Sequence, residues 1–366
     1  MTFRIVFTGG GSAGHVTPNL ALIDELLKEG WEVDYIGSAK GVENAMLREI
    51  SIPYHPIKSG KLRRYFSWKN FIDPFNTLIG MWQAYWILRE LKPQVVFSKG
   101  GFVAFPVVIG AWLNKIPIVA HESDMSPGLA NRLSFPFVNK ICVTFRGAQD
   151  HFKATNKVVL TGTPIRKALF LGRKEQGLAL CGFSDVKPCI LFIGGSLGAQ
   201  TINRSLRQAL PKLLKTFQVI HLCGKGKIDP ALQNTEGFCQ FEYANEELAH
   251  LFAVSSLVVS RAGANSLYEI LALAKPHVLI PLPLAVSRGD QVQNACYFEK
   301  MGISVVLNES ELSATRLVQA IDHVFFHLDD IKHKIQALEI TSSTAKVIDV
   351  IKEQAHAESA STSRVH

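Results

Sequence analysis

The sequence predicts an α/β protein built of two doubly wound, parallel-sheet domains in tandem. Three observations predict it. The chain has 366 residues, and domains commonly run to roughly 100–200 residues. A strand, a glycine loop and a helix follow one another twice, about half a chain apart. The strand candidates are apolar on both faces, as a buried parallel sheet requires.

The first opening is a strand over Phe3–Thr8, a loop over Gly9–His15 and a helix from Pro18 to Lys28. Leu20, Ile23, Leu26 and Leu27 give that helix an apolar stripe. Pro18 fits its first turn and Gly30 its stop. Strand candidates follow at Val33–Ile36, Val95–Phe97 and Ile118–Ala120. The second opening is a strand over Cys189–Ile193, a loop over Gly194–Ala199 and a helix through Asn203, Leu206, Leu210 and Leu214. Its further strands are Val219–Leu222, Leu257–Val259 and His277–Ile280. Gly and Pro punctuate a junction at Thr161–Arg166, which sets two Rossmann-like domains at 1–163 and 164–340. Ala357 to His366 is small and polar and reads as a flexible tail. Ligands are expected in a cleft between the domains, outside the carboxyl ends of the strands.

The net charge of +8 favours an anionic partner: nucleic acid, a phosphate-bearing substrate or acidic lipid. Six cysteines include no C-x-x-C pair, so reduced thiols in a cytosolic protein are expected rather than a metal site or disulfide framework. No signal peptide is expected, since Met1-Thr2-Phe3-Arg4 leads straight into a strand-like run. The longest apolar run, Phe102–Leu113, is shorter than the roughly 20 residues a spanning helix takes.

Gly9 to Gly14 matches G-x-G-x-x-G. A dinucleotide site also wants an acid after the second strand to hold ribose hydroxyls. That strand ends in Tyr35-Ile36-Gly37-Ser38 with no acid following, which disfavours nicotinamide binding. A glycine loop feeding a helix start is still an anion site. Two such loops suit a diphosphate donor and an anionic acceptor.

Gly10-Gly11-Ser12-Ala13-Gly14-His15-Val16-Thr17-Pro18 resembles the first glycine loop of the MurG-type transferases. Further blocks agree in order: Gly100-Gly101-Phe102, His121-Glu122, Gly162–Arg166, Gly194–Ala199, Arg261–Ala264 and Asp290–Ala295. The resemblance runs from about Arg4 to about Asp349. It implies the GT-B architecture: two Rossmann-like domains facing an interdomain cleft, the first for the acceptor and the second for the nucleotide sugar. The final helix, Ser343 to Glu353, is then expected to cross back to the first domain within 341–356. The implied reaction is inverting transfer of N-acetylglucosamine from UDP-N-acetylglucosamine to the C4 hydroxyl of the muramoyl sugar of lipid I, giving lipid II. The implied place is the cytoplasmic face of a bacterial inner membrane, alongside other cell-wall enzymes. There are departures. Ser12 and Ala13 stand where the family often has Thr and Gly, and Ser123-Asp124 where it commonly has Gln-Asn. Asp290-Gln291 replaces a Gln-Gln pair, so only Gln291 carries over.

The reaction needs a base, support for an oxocarbenium-like carbon, and stabilisation of departing UDP. His15 follows a phosphate-type loop and has the side chain that titrates nearest neutrality. Glu122 and Asp124 are rival bases, and a carboxylate there also suits developing positive charge; His121 is placed to orient either. Arg166, Ser196 and the Gly194-Gly195 backbone suit the diphosphate. Ala264, Asn265 and Ser266 read as a helix start presenting N–H groups, and Glu269 as the acceptor for ribose hydroxyls. Gln291 and Asn294 are assigned to the sugar hydroxyls, and backbone near Ala244-Asn245 to uracil. Ser12, Ala13, Gly14 and Asp124 complete the donor set, while Gly11, Gly14, His15, Gly100, Gly101, Phe102, His121 and Glu122 form the acceptor set. No D-x-D motif offers metal carboxylates, so no cofactor held by the protein is expected, and Mg2+ only as a stimulant in solution.

Between Glu49 and Asp73 the only charges are basic: Lys58, Lys61, Arg63, Arg64 and Lys69. Trp68, Phe71, Phe75, Leu78, Ile79, Trp82, Tyr85 and Trp86 follow, at helical spacing from Phe71. Composition alone fits a core helix beside a solvated loop. The lipid-linked acceptor implied by the resemblance instead fits an anionic membrane surface, with Lys61, Arg63, Arg64, Trp68, Phe71 and Phe75 on it. No nucleic-acid motif supports the third option. The rival functions are a diacylglycerol glycosyltransferase, a nicotinamide-dependent oxidoreductase and a non-catalytic scaffold.

Overall fold

In the computed structural model the chain divides into two compact units, Met1–Arg166 with Ser342–His366, and Lys167–Thr341. Residues 2–48, 50–60, 69–152, 155–195, 199–338, 340 and 343–362 are described, with backbone alone at 13, 69–72, 155 and 358–362.

The first unit is built on a seven-stranded sheet: β1 (Arg4–Thr8), β2 (Glu32–Ser38), β3 (Tyr54–Ile57), β4 (Val95–Ser98), β5 (Ile118–Glu122), β6 (Lys140–Val143) and β7 (Val158–Leu160). The strand order is β3-β2-β1-β4-β5-β6-β7, and every pairing is parallel. The order reverses between β1 and β4, which opens a crevice at their carboxyl ends. Its helices are α1 (Thr17–Lys28), α2 (Val42–Leu47), α3 (Lys69–Leu91), α4 (Ala104–Leu113) and α5 (Leu129–Ser134). Ile5, Val6 and Phe7 are all buried, because helices cover both faces of β1. Pro18 sits in the first turn of α1, and Gly30 ends the helix with a φ of +83° that only glycine takes cheaply. Leu22, Ile23 and Leu26 face the core. Leu27, expected in the same stripe, is exposed.

The second unit repeats the plan with six strands: β8 (Cys189–Ile193), β9 (Gln218–Leu222), β10 (Phe238–Phe241), β11 (Ser255–Ser260), β12 (His277–Leu279) and β13 (Val305–Val306). The order is β10-β9-β8-β11-β12-β13, again parallel, with the switch between β8 and β11. Its helices are α6 (Lys174–Cys181), α7 (Gln200–Leu213), α8 (Glu247–Val254), α9 (Ala264–Ala272), α10 (Asp290–Lys300), α11 (Ala314–Phe326) and α12 (Leu328–Gln336).

The last helix, α13 (Ser343–Thr362), belongs to the first unit. Val347, Ile348, Ile351 and Ala355 lie in one core with Ile5, Leu22, Trp31 and Val95. The helix runs past the Glu353 end expected from sequence, through the start of the segment read as a tail. The junction also differs from a solvated linker. Thr161 to Ile165 is buried, and Ile165 N–H donates to Thr344 Oγ1 at 3.0 Å, so this segment docks on the start of α13.

Candidate active site

In the first unit, three neighbouring strands deliver the predicted acceptor residues to one edge. β1 ends in Gly9–His15, β4 in Lys99–Phe102, and β5 in His121–Asp124. The loops are packed too closely for side chains. A Cβ on Gly101, at φ +89°, would lie 2.2 Å from Gly10 O; one on Gly100, at φ +87°, would lie 2.4 Å from Asn131 Oδ1. Gly10 N–H donates to Gly100 O at 3.3 Å, joining the two loops. Phe102 approaches Gly11 from the β4 side.

The first glycine loop enters a 3-10 turn, Ala13–His15, before α1 begins at Thr17. Ser12 is exposed and Gly14 and His15 are half-buried. His15 Nδ1 lies 3.1 Å from Lys99 O. A carbonyl only accepts, so Nδ1 carries the proton and the neutral ring has its lone pair on Nε2.

An acid does stand at this loop, supplied by α2 rather than by the end of β2. Glu43 is wholly buried. Its Oε2 accepts Gly11 N–H at 3.2 Å and its Oε1 accepts Ser38 N–H at 3.0 Å. The end of β2 itself carries no acid, as expected, and Glu43 reaches the Gly11 N–H from α2. A carboxylate already occupies that position, and a second anion there would be repelled.

Glu122 is buried, and its carboxylate is fully engaged. It accepts Asp124 N–H at 3.0 Å, Gly128 N–H at 3.1 Å and Asn131 Nδ2–H at 2.8 Å. In this arrangement it shapes the loop between β5 and α5 and is poorly placed to act as a base. His121 is wholly buried between Gly162 O, 2.9 Å from Nε2, and Lys99 Nζ, 2.9 Å from Nδ1. Burial, reinforced by the neighbouring ammonium, holds its pKa well below the usual histidine range, so the ring is neutral. Its contacts go to Lys99 and Gly162, and it orients neither rival carboxylate directly. Lys99, which the sequence reading passed over, also donates to Ser123 Oγ. Burial pulls its pKa down to about 8, against the opposing pull of Glu122 and Asp124.

In the second unit, the expected donor residues gather at the ends of β8, β11 and β12, again neighbours in the sheet. Gly194-Gly195 follows β8, with Gly195 at φ +86°. Gly263 leads into α9, whose first turn is Ala264, Asn265 and Ser266. The N–H groups of a first helical turn have no intrahelical acceptor and point along the axis, the geometry that receives phosphate. Glu269 lies half-buried on the next turn. Gln291 accepts Leu282 N–H at 3.1 Å and lies beside Gly263, bridging the loops after β11 and β12. Arg261, at the end of β11, donates to Ile280 O and Pro281 O and pairs with Glu309, which Thr201 also contacts. Burial raises the Glu309 pKa, but Arg261 and Thr201 outweigh it and leave the carboxyl below its ordinary value.

One donor assignment is corrected. Asn294 is wholly buried, with its amide donating to Ala262 O at 3.2 Å; it braces the turn before α9 and presents no surface to a sugar. Asn245 is exposed at the start of α8, its N–H donating to Glu247 and its carbonyl accepting Leu248 N–H at 3.3 Å. The neighbouring Tyr243 is the exposed ring on this loop, an isolated aromatic that periodicity had no reason to flag. Arg166 closes the first unit and is half-buried. Ser196, Trp68, Lys61, Arg63 and Arg64 lie outside the described residues. Phe71 is described in its backbone only, within α3.

The basic–aromatic segment does contain the expected helix, α3. Phe75, Leu78, Ile79, Trp82 and Trp86 are exposed along it, Phe75 at 67% and Trp82 at 66%. An apolar cavity of about 340 Å3 lies at its start, lined among others by Pro74, Leu78, Phe102, Phe105, Leu129 and Leu133. No helix among the described residues is long and apolar enough to cross a membrane.

Known proteins resemble this chain along nearly its whole length. Residues 5–143 match the glycosyltransferase family 28 N-terminal domain, and residues 189–353 the family 28 C-terminal domain. The UDP-N-acetylglucosamine–N-acetylmuramyl-(pentapeptide) pyrophosphoryl-undecaprenol N-acetylglucosamine transferase of Legionella pneumophila strain Paris is 62% identical over 356 residues, 97% of this chain and 98% of its own length. The transferase of the same name from Clostridium tetani is 51% identical over 96% of this chain and 98% of its own. The crystal structure of Acinetobacter baumannii MurG superposes with a TM-score of 0.76 at 25% identity, covering 96% of this chain and 99% of that one.

Proposed function

The chain belongs to the MurG family of UDP-N-acetylglucosamine-dependent glycosyltransferases, and we propose that it moves N-acetylglucosamine onto the muramoyl sugar of lipid I, giving lipid II and UDP in peptidoglycan synthesis. The observation that carries the reading is the near-full-length identity with transferases of that name. The two strand-end clusters, one in each unit, give it a chemistry.

His15 is the base in this mechanism. Its Nε2 lone pair takes the proton of the acceptor C4 hydroxyl as that oxygen attacks the anomeric carbon. The bond from that carbon to UDP breaks in the same displacement, so the configuration inverts. The departing diphosphate is received by the first turn of α9, the Gly194-Gly195 loop and Arg166, through N–H groups and guanidinium charge. Glu269 takes the ribose hydroxyls and Gln291 the sugar. No metal ion held by the protein is assigned, and Mg2+ acts only as a stimulant in solution. The exposed face of α3 rests on the cytoplasmic leaflet of the bacterial inner membrane, where Trp rings favour the interface. The cavity at the start of α3 suits the first units of the polyprenyl chain.

Transfer of radiolabelled sugar from UDP-N-acetylglucosamine is the test, with a short-chain muramoyl-pentapeptide diphospholipid and diacylglycerol as parallel acceptors. Label in the muramoyl product, retained in chelator, is expected. Label in diacylglycerol alone would reject the cell-wall assignment, and loss of all transfer in chelator would reject the metal-free account.

A further inference from the structure

Lys99 follows β4 directly and is among the largest fully buried side chains of the protein. Its ammonium lies 2.9 Å from His121 Nδ1 and donates to Ser123 Oγ. Its backbone carbonyl accepts from His15 at 3.1 Å. Its Cβ lies where a side chain on Gly9 would have to go, 3.0 Å away. One residue thus touches the loops that end β1, β4 and β5. Burying an ammonium is costly, and an apolar side chain of similar volume would fill the same space without that cost. A cation kept here needs a reason in what it faces. The nearby carboxylates are Glu122 and Asp124, both of which favour its charged form. Glu122 already accepts three N–H groups, and Asp124 lies half-buried at the open end of the same loop.

We propose that Lys99 is a positioning residue of the acceptor half-site, fixing the His121–Ser123 edge with its side chain while its carbonyl orients His15. The inference rests on the reading of this edge as the acceptor side. Lys99 touches no substrate; it acts through the groups it holds. At neutral pH it stays protonated, which is the form that donates to both His121 and Ser123.

The test is steady-state kinetics on the full chain for Lys99→Met, Ser123→Ala and the double variant, each substrate varied in turn. Lys99→Met is expected to lower kcat by on the order of 100-fold, the scale set by small misplacements of reacting groups. KM for UDP-N-acetylglucosamine is expected to stay within about twofold, because none of the groups that Lys99 contacts is assigned to the donor. The double variant is expected to lose no more than Lys99→Met alone, within about threefold, because both substitutions break the same contact. Wild-type kcat in Lys99→Met, or a double variant showing the product of the two single losses, would overturn the proposal. If Lys99→Met does not fold, Ser123→Ala alone decides: unchanged kcat overturns, and a loss at unchanged donor KM supports. If the wild-type protein transfers nothing to a muramoyl acceptor, the functional reading has failed. The pairing of Lys99 with Ser123 is then read from the coupling of their unfolding free energies, and additivity there overturns it.

Discussion

An imidazole serves as a base only when its lone pair sits on the nitrogen that meets the proton. Lys99 O fixes that choice for His15 by accepting from Nδ1, as an orienting partner does in other base sites. His15→Ala is therefore expected to lower kcat by about 100- to 10,000-fold, the usual range for a general base, with little change in KM for the sugar nucleotide. A loss confined to donor KM in steady-state kinetics would reduce His15 to a binding residue. Other histidines act on stability instead. His121, His221 and His277 are all buried. Burial, aided by Lys99 and Arg207 at the first two, holds His121 well below 6.5, His221 near 3 and His277 near 4. Unfolded, each gains a proton as pH falls through about 6.5. The unfolded state then binds more protons than the folded one, and stability falls with pH below that point. At pH 5 each ring is expected to cost about 2 kcal/mol, and urea unfolding at pH 7 and pH 5 measures it; equal stabilities would mean the rings are not buried neutral. The motif made His15 legible in the sequence. Lys99 was not, because its partners His121 and Ser123 lie 22 and 24 positions away and meet it only across adjacent parallel strands. Glu43 was missed for a related reason: the acid comes from α2, not from the end of β2 where the dinucleotide pattern looks for it.

At the scale of elements, the central strands were the readable ones. β1, β4, β8 and β11 are apolar on both faces, because they pair on both sides and are covered above and below. β3, β6, β7, β10 and β13 run to four residues at most and lie toward the sheet edges, too brief to stand out from loop; β3 even carries Pro56, tolerated at an edge. α3 shows what a helix reveals when a protein leaves apolar surface open. Its Phe75, Leu78, Trp82 and Trp86 recur at spacings of three and four and so form one stripe, flanked by exposed Trp112 on α4 and Leu129 and Leu133 on α5. A contiguous apolar stripe of this kind marks an interaction surface. Replacing Phe75 and Trp82 with Ser is expected to weaken binding to anionic liposomes about tenfold or more. At the same time thermal stability should change little, since neither ring is buried. A fall in melting temperature with unchanged sedimentation on liposomes would return the stripe to a packing role.

At the scale of the molecule, the chain closes on its own beginning. β1 and α13 stand at opposite ends of the sequence yet share one hydrophobic core, with Val347 and Ile351 wholly buried against Ile5, Leu22 and Val95. Lys352 adds an exposed ion pair with Glu29, which contributes little by comparison. The first unit therefore cannot complete its core until the last helix has been made. The second unit, Lys167–Thr341, has a sheet and core of its own. Two cores imply two unfolding processes, and substitutions in α13 act on one of them. Ile351→Ala is expected to cost about 2–5 kcal/mol, the range for emptying a buried aliphatic site. That is a large part of the roughly 5–15 kcal/mol that holds a domain folded. The effect should fall on the unit that carries β1: calorimetry should show one transition moved down and the other in place. Binding of UDP, most of whose determinants are assigned to the second unit, should survive at temperatures where transfer to the acceptor is already lost. If both transitions moved together, or if UDP binding vanished with the first, the two cores would be a single cooperative unit and α13 would support the whole chain.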